Sequence, residues 1–427
     1  MPASYKYRDY FNIDPDFFPC VNDGVIKDHP DLWKKFYPHE TFISLIKDTL
    51  NVLERKKKQC LWVEGAYGTG KSHAVLTLKK LLDASEEDTR EYFKRYRLDN
   101  DLCNRFQAIK SDGRILTVHR YGSSSIKGDH NLIFEIQESI SKALEDAGIE
   151  SRSGSTMKQA TIAWLSDEDN KNYFNSLITG AYSNLFNGNN VDTVIKRLQI
   201  YTDESLNDLM NKIFMVADER GITAISMTID RLCDWIREVI TVNNLKAIVF
   251  IWDEFTEYFR NNTRSLTGFQ RLCDLSETDP FYFVLVTHLT QGLFHDTDND
   301  FKKLNDRFVK PHCIINLEDN MAFQLMGAAM VKTDNPVLLD DWNNNVVTEL
   351  AERTRKSRTL VENVGNISDR AMINILPIHP YAALVLKHIS SLYDSNQRSV
   401  FDFIKNDWGD EISDSAYAAD PSAARNS

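Results

Sequence analysis

Cysteine is scarce in this 427-residue chain, and its six copies (Cys20, Cys60, Cys103, Cys233, Cys273 and Cys313) lie far apart. No C-x-x-C pair or neighbouring histidine cluster has metal-ligand spacing, which excludes a disulfide framework and a zinc module. Reduced, mostly buried thiols are expected instead. Long apolar runs are missing too: nowhere do about 18 apolar residues follow one another, so no membrane span is expected. The N-terminus, MPASYKYRDYFNIDPDFF, lacks the basic start and apolar stretch of a signal peptide. These absences predict a cytoplasmic protein. Basic charge is in deficit, with 50 Lys and Arg against 62 Asp and Glu and a formal net charge of −12. Wrapping of nucleic acid by the whole surface is thereby disfavoured, which leaves DNA to a local basic patch or to a partner. With 17 glycines and 11 prolines there is no collagen-like pattern, and 42% hydrophobic residues supply a large core, which excludes disorder of the whole chain. At roughly 100–200 residues per domain the length predicts two to four domains.

Along the chain, residues 1–58 read as an aromatic and proline-containing leader feeding a helix from His39 to Lys57. Phe42, Leu45, Ile46, Leu50 and Leu53 share one face of that helix. The basic run Arg55-Lys56-Lys57-Lys58 is expected to be its solvated end, with a phosphate or DNA contact as the alternative. Apolar runs at Cys60–Val63, Arg114–His119, Ala247–Trp252, Phe281–Val286 and His312–Asn316 read as buried parallel strands. The polar loop Gly122-Ser123-Ser124-Ser125 and the amphipathic stretch Leu132–Leu144 follow the second of them, a βαβ rhythm. Residues 148–244 are helical in pattern and predict an insertion in the α/β core of residues 59–317. Residues 318–412 predict an all-helical domain, and the small, polar tail 413–427 predicts disorder.

The strongest chemical signal is Gly65-Ala66-Tyr67-Gly68-Thr69-Gly70-Lys71-Ser72, a G-x-x-x-x-G-K-S sequence between a strand and the helical run Ala74–Leu82. Its glycines let backbone amides turn inward as an anion nest, and the following helix, opening near His73, aims its positive end at the same phosphates. Lys71 is expected to bridge the β- and γ-phosphates and Ser72 to ligate Mg²⁺.

A second signal is Asp253-Glu254 at the end of Ile248–Trp252. Ligands of open α/β sheets bind at that edge. Asp253 is expected to hold Mg²⁺ through water, and Glu254 to deprotonate the attacking water. A glutamate beside the magnesium aspartate marks the ASCE division of P-loop NTPases, which includes the AAA+ enzymes, and the lack of an N/T-K-x-D guanine motif favours ATP over GTP. In such sheets a further strand inserts between the first two and ends in a sensor of the γ-phosphate. Thr287 is placed for that role, with His288 its neighbour and Gln291 one turn on; capping of the next segment is the alternative. Two arginines compete to neutralise transition-state charge. Arg307 lies just before the last strand and would act on a neighbouring subunit, whereas Arg398 lies late in the helical domain and would act in cis. The alternative for each is a surface ion pair, with Asp306 or Asp394.

With these residues placed, the chain resembles the large ATPases of bacterial phage-defence islands, the BrxC and PglY group of BREX systems. The matching pieces are Gly65–His73 (GAYGTGKSH), Ile251–Phe255 (IWDEF), and His379-Pro380 followed by Ser395–Phe403 (SNQRSVFDF). The resemblance implies an AAA+-like parallel-sheet core with a helical lid at 318–412, and Mg²⁺-dependent ATP hydrolysis as a motor or switch. It also implies self-association or a multi-protein defence complex. Those ATPases are longer, so a truncated form or an ATPase module is expected. A STAND-like or initiator-like sensor, holding nucleotide with little turnover, is the alternative.

Overall fold

The computed structural model describes residues 5–13, 30–66, 69–123, 126, 128–149, 154–262, 266–288, 299–315 and 319–392. Cys20, Tyr67, Gly68, Gln291, Arg398, the Ser395–Phe403 segment and the 413–427 tail lie outside the described residues. Among those described, seven strands occur: β1 (Phe11–Ile13), β2 (Leu61–Glu64), β3 (Arg114–Tyr121), β4 (Leu245–Asp253), β5 (Phe281–Thr287), β6 (Cys313–Ile314) and β7 (Met330–Lys332). The chain divides into two compact units. One comprises Leu45–Glu64 and Leu81–Cys313, the other Met1–Ser44, Gly65–Lys80 and Ile314–Ser427.

The sheet β3-β4-β5-β2-β6 is all-parallel, so the protein is α/β. Its central strands are buried along their length, as expected where helices cover both faces and the sequence runs apolar without alternation. Phe250, Trp252, Phe255, Phe259, Phe269, Phe283 and Trp62 pack into one aromatic core, all at or near zero exposure. Each fully buried phenylalanine contributes about 1.5–3 kcal/mol relative to an exposed one. Strand β5 lies between β2 and β4, as expected for Phe281–Val286, with Glu64 opposite Thr287 and Trp252 opposite Leu285. The carboxyl ends of β2, β4 and β5 therefore share one edge.

Between β3 and β4 the described residues hold helices only. These include Met157–Ser166, Glu168–Thr179, Val191–Ile200 and Asp203–Arg220, the first three capped by Thr156, Asp167 and Asn190. Their apolar faces join the same core as the sheet. The helix Ile229–Val242, capped by Thr228, buries Ile229, Leu232, Ile236, Val239 and Ile240 at helical spacing just before β4.

Two sequence expectations change here. The helix expected to reach Lys57 ends at Leu53, and Arg55 turns with φ 60°. The Arg55 guanidinium donates to the carbonyls of Ser276, Glu277 and Asp279 and to the Tyr282 hydroxyl, so it fastens the turn before β5 rather than facing solvent. Lys57 pairs with Asp48 at 2.7 Å. In the other unit, the region expected to be all-helical contains β7, which pairs antiparallel with β1 from the leader. Tyr10 and Phe11 explain the pairing. They pack on Trp342, the Tyr10 hydroxyl donates to Asp341 at 2.6 Å, and Phe323, Met326 and Met372 close the cluster. Three residues of strand cost little of the helical pattern that surrounds them.

Candidate functional site

Residues 65–73 carry the chain from the end of β2 into the helix Lys71–Asp83. Backbone geometry dictates two of the glycines. Gly70 has φ 88°, which side chains rarely adopt, and a Cβ on Gly65 would lie 2.1 Å from the Ile315 carbonyl oxygen. The Gly70 carbonyl accepts the Ala74 amide at 2.9 Å, opening the helix. The amides of Ser72 and His73 thus lie in the first turn, ahead of the first bond of the helix ladder, the arrangement that favours an anion. Lys71 is buried and its Nζ donates to the Ala66 carbonyl at 2.9 Å; the Thr69 hydroxyl donates to the same oxygen at 3.0 Å. The loop is therefore tied to itself. His73 sets its ring edge against Phe36 at 4.7 Å with Nε2 sealed from water and unpartnered. Burial pushes its imidazole down to about 3, so it is neutral.

At the carboxyl edge of the other unit's sheet, Asp253 is buried and its Oδ1 accepts the Glu254 amide at 2.9 Å. Glu254 has φ 55°, an uncommon left-handed conformation for a residue with a side chain. The turn after β3 braces it. The Gly122 amide donates to the Asp253 carbonyl and Trp252 Nε1 to the Gly122 carbonyl, each at 2.9 Å. The buried Ser123 hydroxyl donates to the Glu254 carbonyl at 3.0 Å and accepts the Tyr258 amide at 2.9 Å. From the other side, the Phe255 amide donates to the Val286 carbonyl at 2.9 Å.

Of the expected sensors, Thr287 is buried and its hydroxyl accepts Trp62 Nε1 at 2.9 Å, a bond across the sheet. His288 Nε2 lies 3.1 Å from Glu254 Oε2. Glu64, the residue before Gly65, contacts His312 Nδ1 at 3.1 Å, and the His312 ring stacks on Trp62. Arg307 pairs with Asp274, Nε to Oδ1 at 2.6 Å, and not with Asp306, which takes Lys310. That places the Arg307 charge in an intramolecular pair. Asp253, Glu254, Thr287 and His288 are thus brought together in one unit, and Gly65, Ala66, Thr69, Gly70, Lys71, Ser72 and His73 in the other. Sequence reasoning missed Ser123, Trp62 and Thr256, whose hydroxyl accepts the His288 amide, as supports. The polar turn after an apolar strand was the available signal for Ser123.

Among the described residues no group of three or more His, Cys, Asp or Glu side chains could hold a metal ion. A magnesium ion that relies on one carboxylate, a hydroxyl, water and phosphate oxygens needs no such group; Asp253 is a buried carboxylate of that kind in one unit, and Ser72 carries a hydroxyl in the other. No helix among the described residues is long and apolar enough to cross a membrane. No protein-family model matches the chain, and no curated protein matches it.

Proposed function

We propose that this protein is a Mg²⁺-dependent, ATP-binding and ATP-hydrolysing AAA+-like switch or motor. The observation that supports it most is the Glu254 turn: a carboxylate held in a left-handed backbone conformation at a sheet edge, beside the buried Asp253. The strand two places away in that sheet runs directly into the Gly65–Ser72 sequence. In this reading Lys71 and the first-turn amides bind the β- and γ-phosphates. Ser72 and Asp253 would hold Mg²⁺, which when bound neutralises charge on the phosphate oxygens. Glu254 accepts a proton from water as the water oxygen bonds to the γ-phosphorus and the bond from phosphorus to the ADP oxygen breaks; the proton then passes to solvent. Arg307, engaged by Asp274, would have to exchange partners to act on a neighbouring subunit. A place in a bacterial anti-phage complex, with DNA reached through a partner, rests on the BREX-like residues given above.

A phosphate-release assay with and without duplex DNA tests the reading. Lys71→Ala should abolish ATP binding or turnover. Glu254→Gln should keep binding and lower turnover by about 10²–10⁴-fold, the usual contribution of a general base. Unchanged turnover in Glu254→Gln would remove the base assignment. Tight ATP retention with no phosphate release in the unaltered protein would replace the motor with a nucleotide-gated assembly module.

A further inference from the structure

Glu254 is held on several sides at the carboxylate edge. Its left-handed backbone costs roughly 1–2 kcal/mol in a residue with a Cβ, and three neighbouring contacts hold it there. Its amide is taken by Asp253, its carbonyl by Ser123, and the next amide by Val286. With the main chain fixed, only the side-chain torsions remain to aim the carboxylate. Nε2 of His288 lies 3.1 Å from one of its two oxygens, Oε2.

His288 is anchored in turn. Its amide donates at 2.9 Å to the hydroxyl of Thr256, itself buried and two residues beyond Glu254. The result is a closed circuit: Glu254 carboxylate, His288 ring, His288 main chain, Thr256 hydroxyl, and back through Phe255 to Glu254. Its members lie within three residues after β4 or directly after β5, strands joined by parallel pairing from Ile248–Phe281 to Trp252–Leu285.

We propose that His288 is a positioning residue for Glu254. It holds Oε2 and thereby fixes where the carboxylate points. This role rests on the hydrolytic reading above and differs from direct sensing of the γ-phosphate, because the ring acts through Glu254. A brace, rather than a brake, follows from where the circuit is built: both partners belong to adjacent strands of one sheet, with main-chain bonds fixing each. Misplacing a reacting group by about 1 Å can cost on the order of 10²-fold in rate, so the contact has enough leverage to matter.

The experiment combines histidine-selective ¹⁵N labelling with steady-state kinetics on the full chain. The His288 Nε2 resonance, assigned by its loss in His288→Ala, should shift in Glu254→Gln. His288→Ala should lower kcat about 10–100-fold while the ATP KM changes less than about twofold. His288→Gln, whose amide can donate to Oε2, should recover part of the loss; it also serves as the kinetic variant if the alanine form does not fold. A kcat that is unchanged or raised in both variants overturns the brace. An Nε2 resonance indifferent to Glu254→Gln overturns the contact itself. Unaltered protein that binds ATP and releases no phosphate overturns the hydrolytic reading instead, and the resonance distinguishes that failure from the loss of the pair.

Discussion

The glycine loop and the carboxylate edge are built by opposite means. The loop at Gly65, Ala66 and Thr69–Lys71 is shaped by absent side chains: Gly65 leaves room for the Ile315 carbonyl, Gly70 takes a left-handed φ, and Lys71 and Thr69 fold back onto the Ala66 carbonyl. The edge at Asp253-Glu254 is shaped by present ones. Ser123, His288, Thr256 and Asp253 all hold a residue whose own backbone is in a left-handed conformation that glycine would tolerate more easily. A site for anions can be made from main-chain amides, which carry no titratable group and point wherever the turn aims them. A general base must be a side chain, and aiming it takes other side chains.

The largest expected effect attacks the backbone-made half. Gly65→Ala would set a methyl group 2.1 Å from a main-chain oxygen, too close for either to remain in place. Overpacking of this kind costs about 1–3 kcal/mol or more, and here the displaced segment is the proposed phosphate nest. ATP affinity, measured by equilibrium dialysis, should fall at least about 100-fold, equivalent to roughly 2.7 kcal/mol. Retained affinity would show that the loop does not depend on the Ile315 approach, and the contrast between the two halves would lose its basis.

A smaller effect is expected on the side-chain-made half. Ser123→Ala removes one donor and one acceptor from a buried position and leaves the Tyr258 amide and the Glu254 carbonyl to find others. Buried groups left unsatisfied cost about 1–3 kcal/mol, so the urea midpoint should fall and kcat should drop while ATP affinity holds. Loss of affinity in this variant would mean that the two halves are not separable by mutation.

The same contrast explains what was legible in the sequence. Gly65 and Gly70 announced themselves because few residues can replace glycine where the backbone is crowded or left-handed. The buried strands were equally plain, since β4 and β5 read as unbroken apolar runs. Ser123 was not legible as a brace, because it lies 131 residues before Glu254 and only the β3-β4 pairing brings the two together. Nor was the β1-β7 pair, whose three-residue strands are too short to show alternation. Arg307 and Arg55 teach a related lesson. Nearby charges in sequence suggested Asp306 for the first and solvent for the second, whereas tertiary packing supplies Asp274 and a ring of carbonyls.

The smallest effect concerns the helix that precedes the loop in the chain. His39 stands just before the helix Glu40–Leu53, and its Nδ1 accepts the Phe42 amide at 3.2 Å, an N-cap made by an imidazole. Phe36 packs on both His39 and His73, which links this cap to the first turn of the helix Lys71–Asp83. Burial lowers the His39 imidazole to about 4, below the 6.5 of an exposed one. Because the folded form resists protonation, its contribution is intact above about pH 6.5 and is lost as pH falls toward 4. Between pH 7 and pH 6 the loss should be about 0.5–1 kcal/mol, seen as a lower urea midpoint. His39→Asn keeps a cap acceptor and has nothing to titrate, so its midpoint should lose correspondingly less over that interval. Equal loss in the two proteins would assign the acid sensitivity elsewhere, whereas the expected difference would give the backbone-made half one proton-sensitive support.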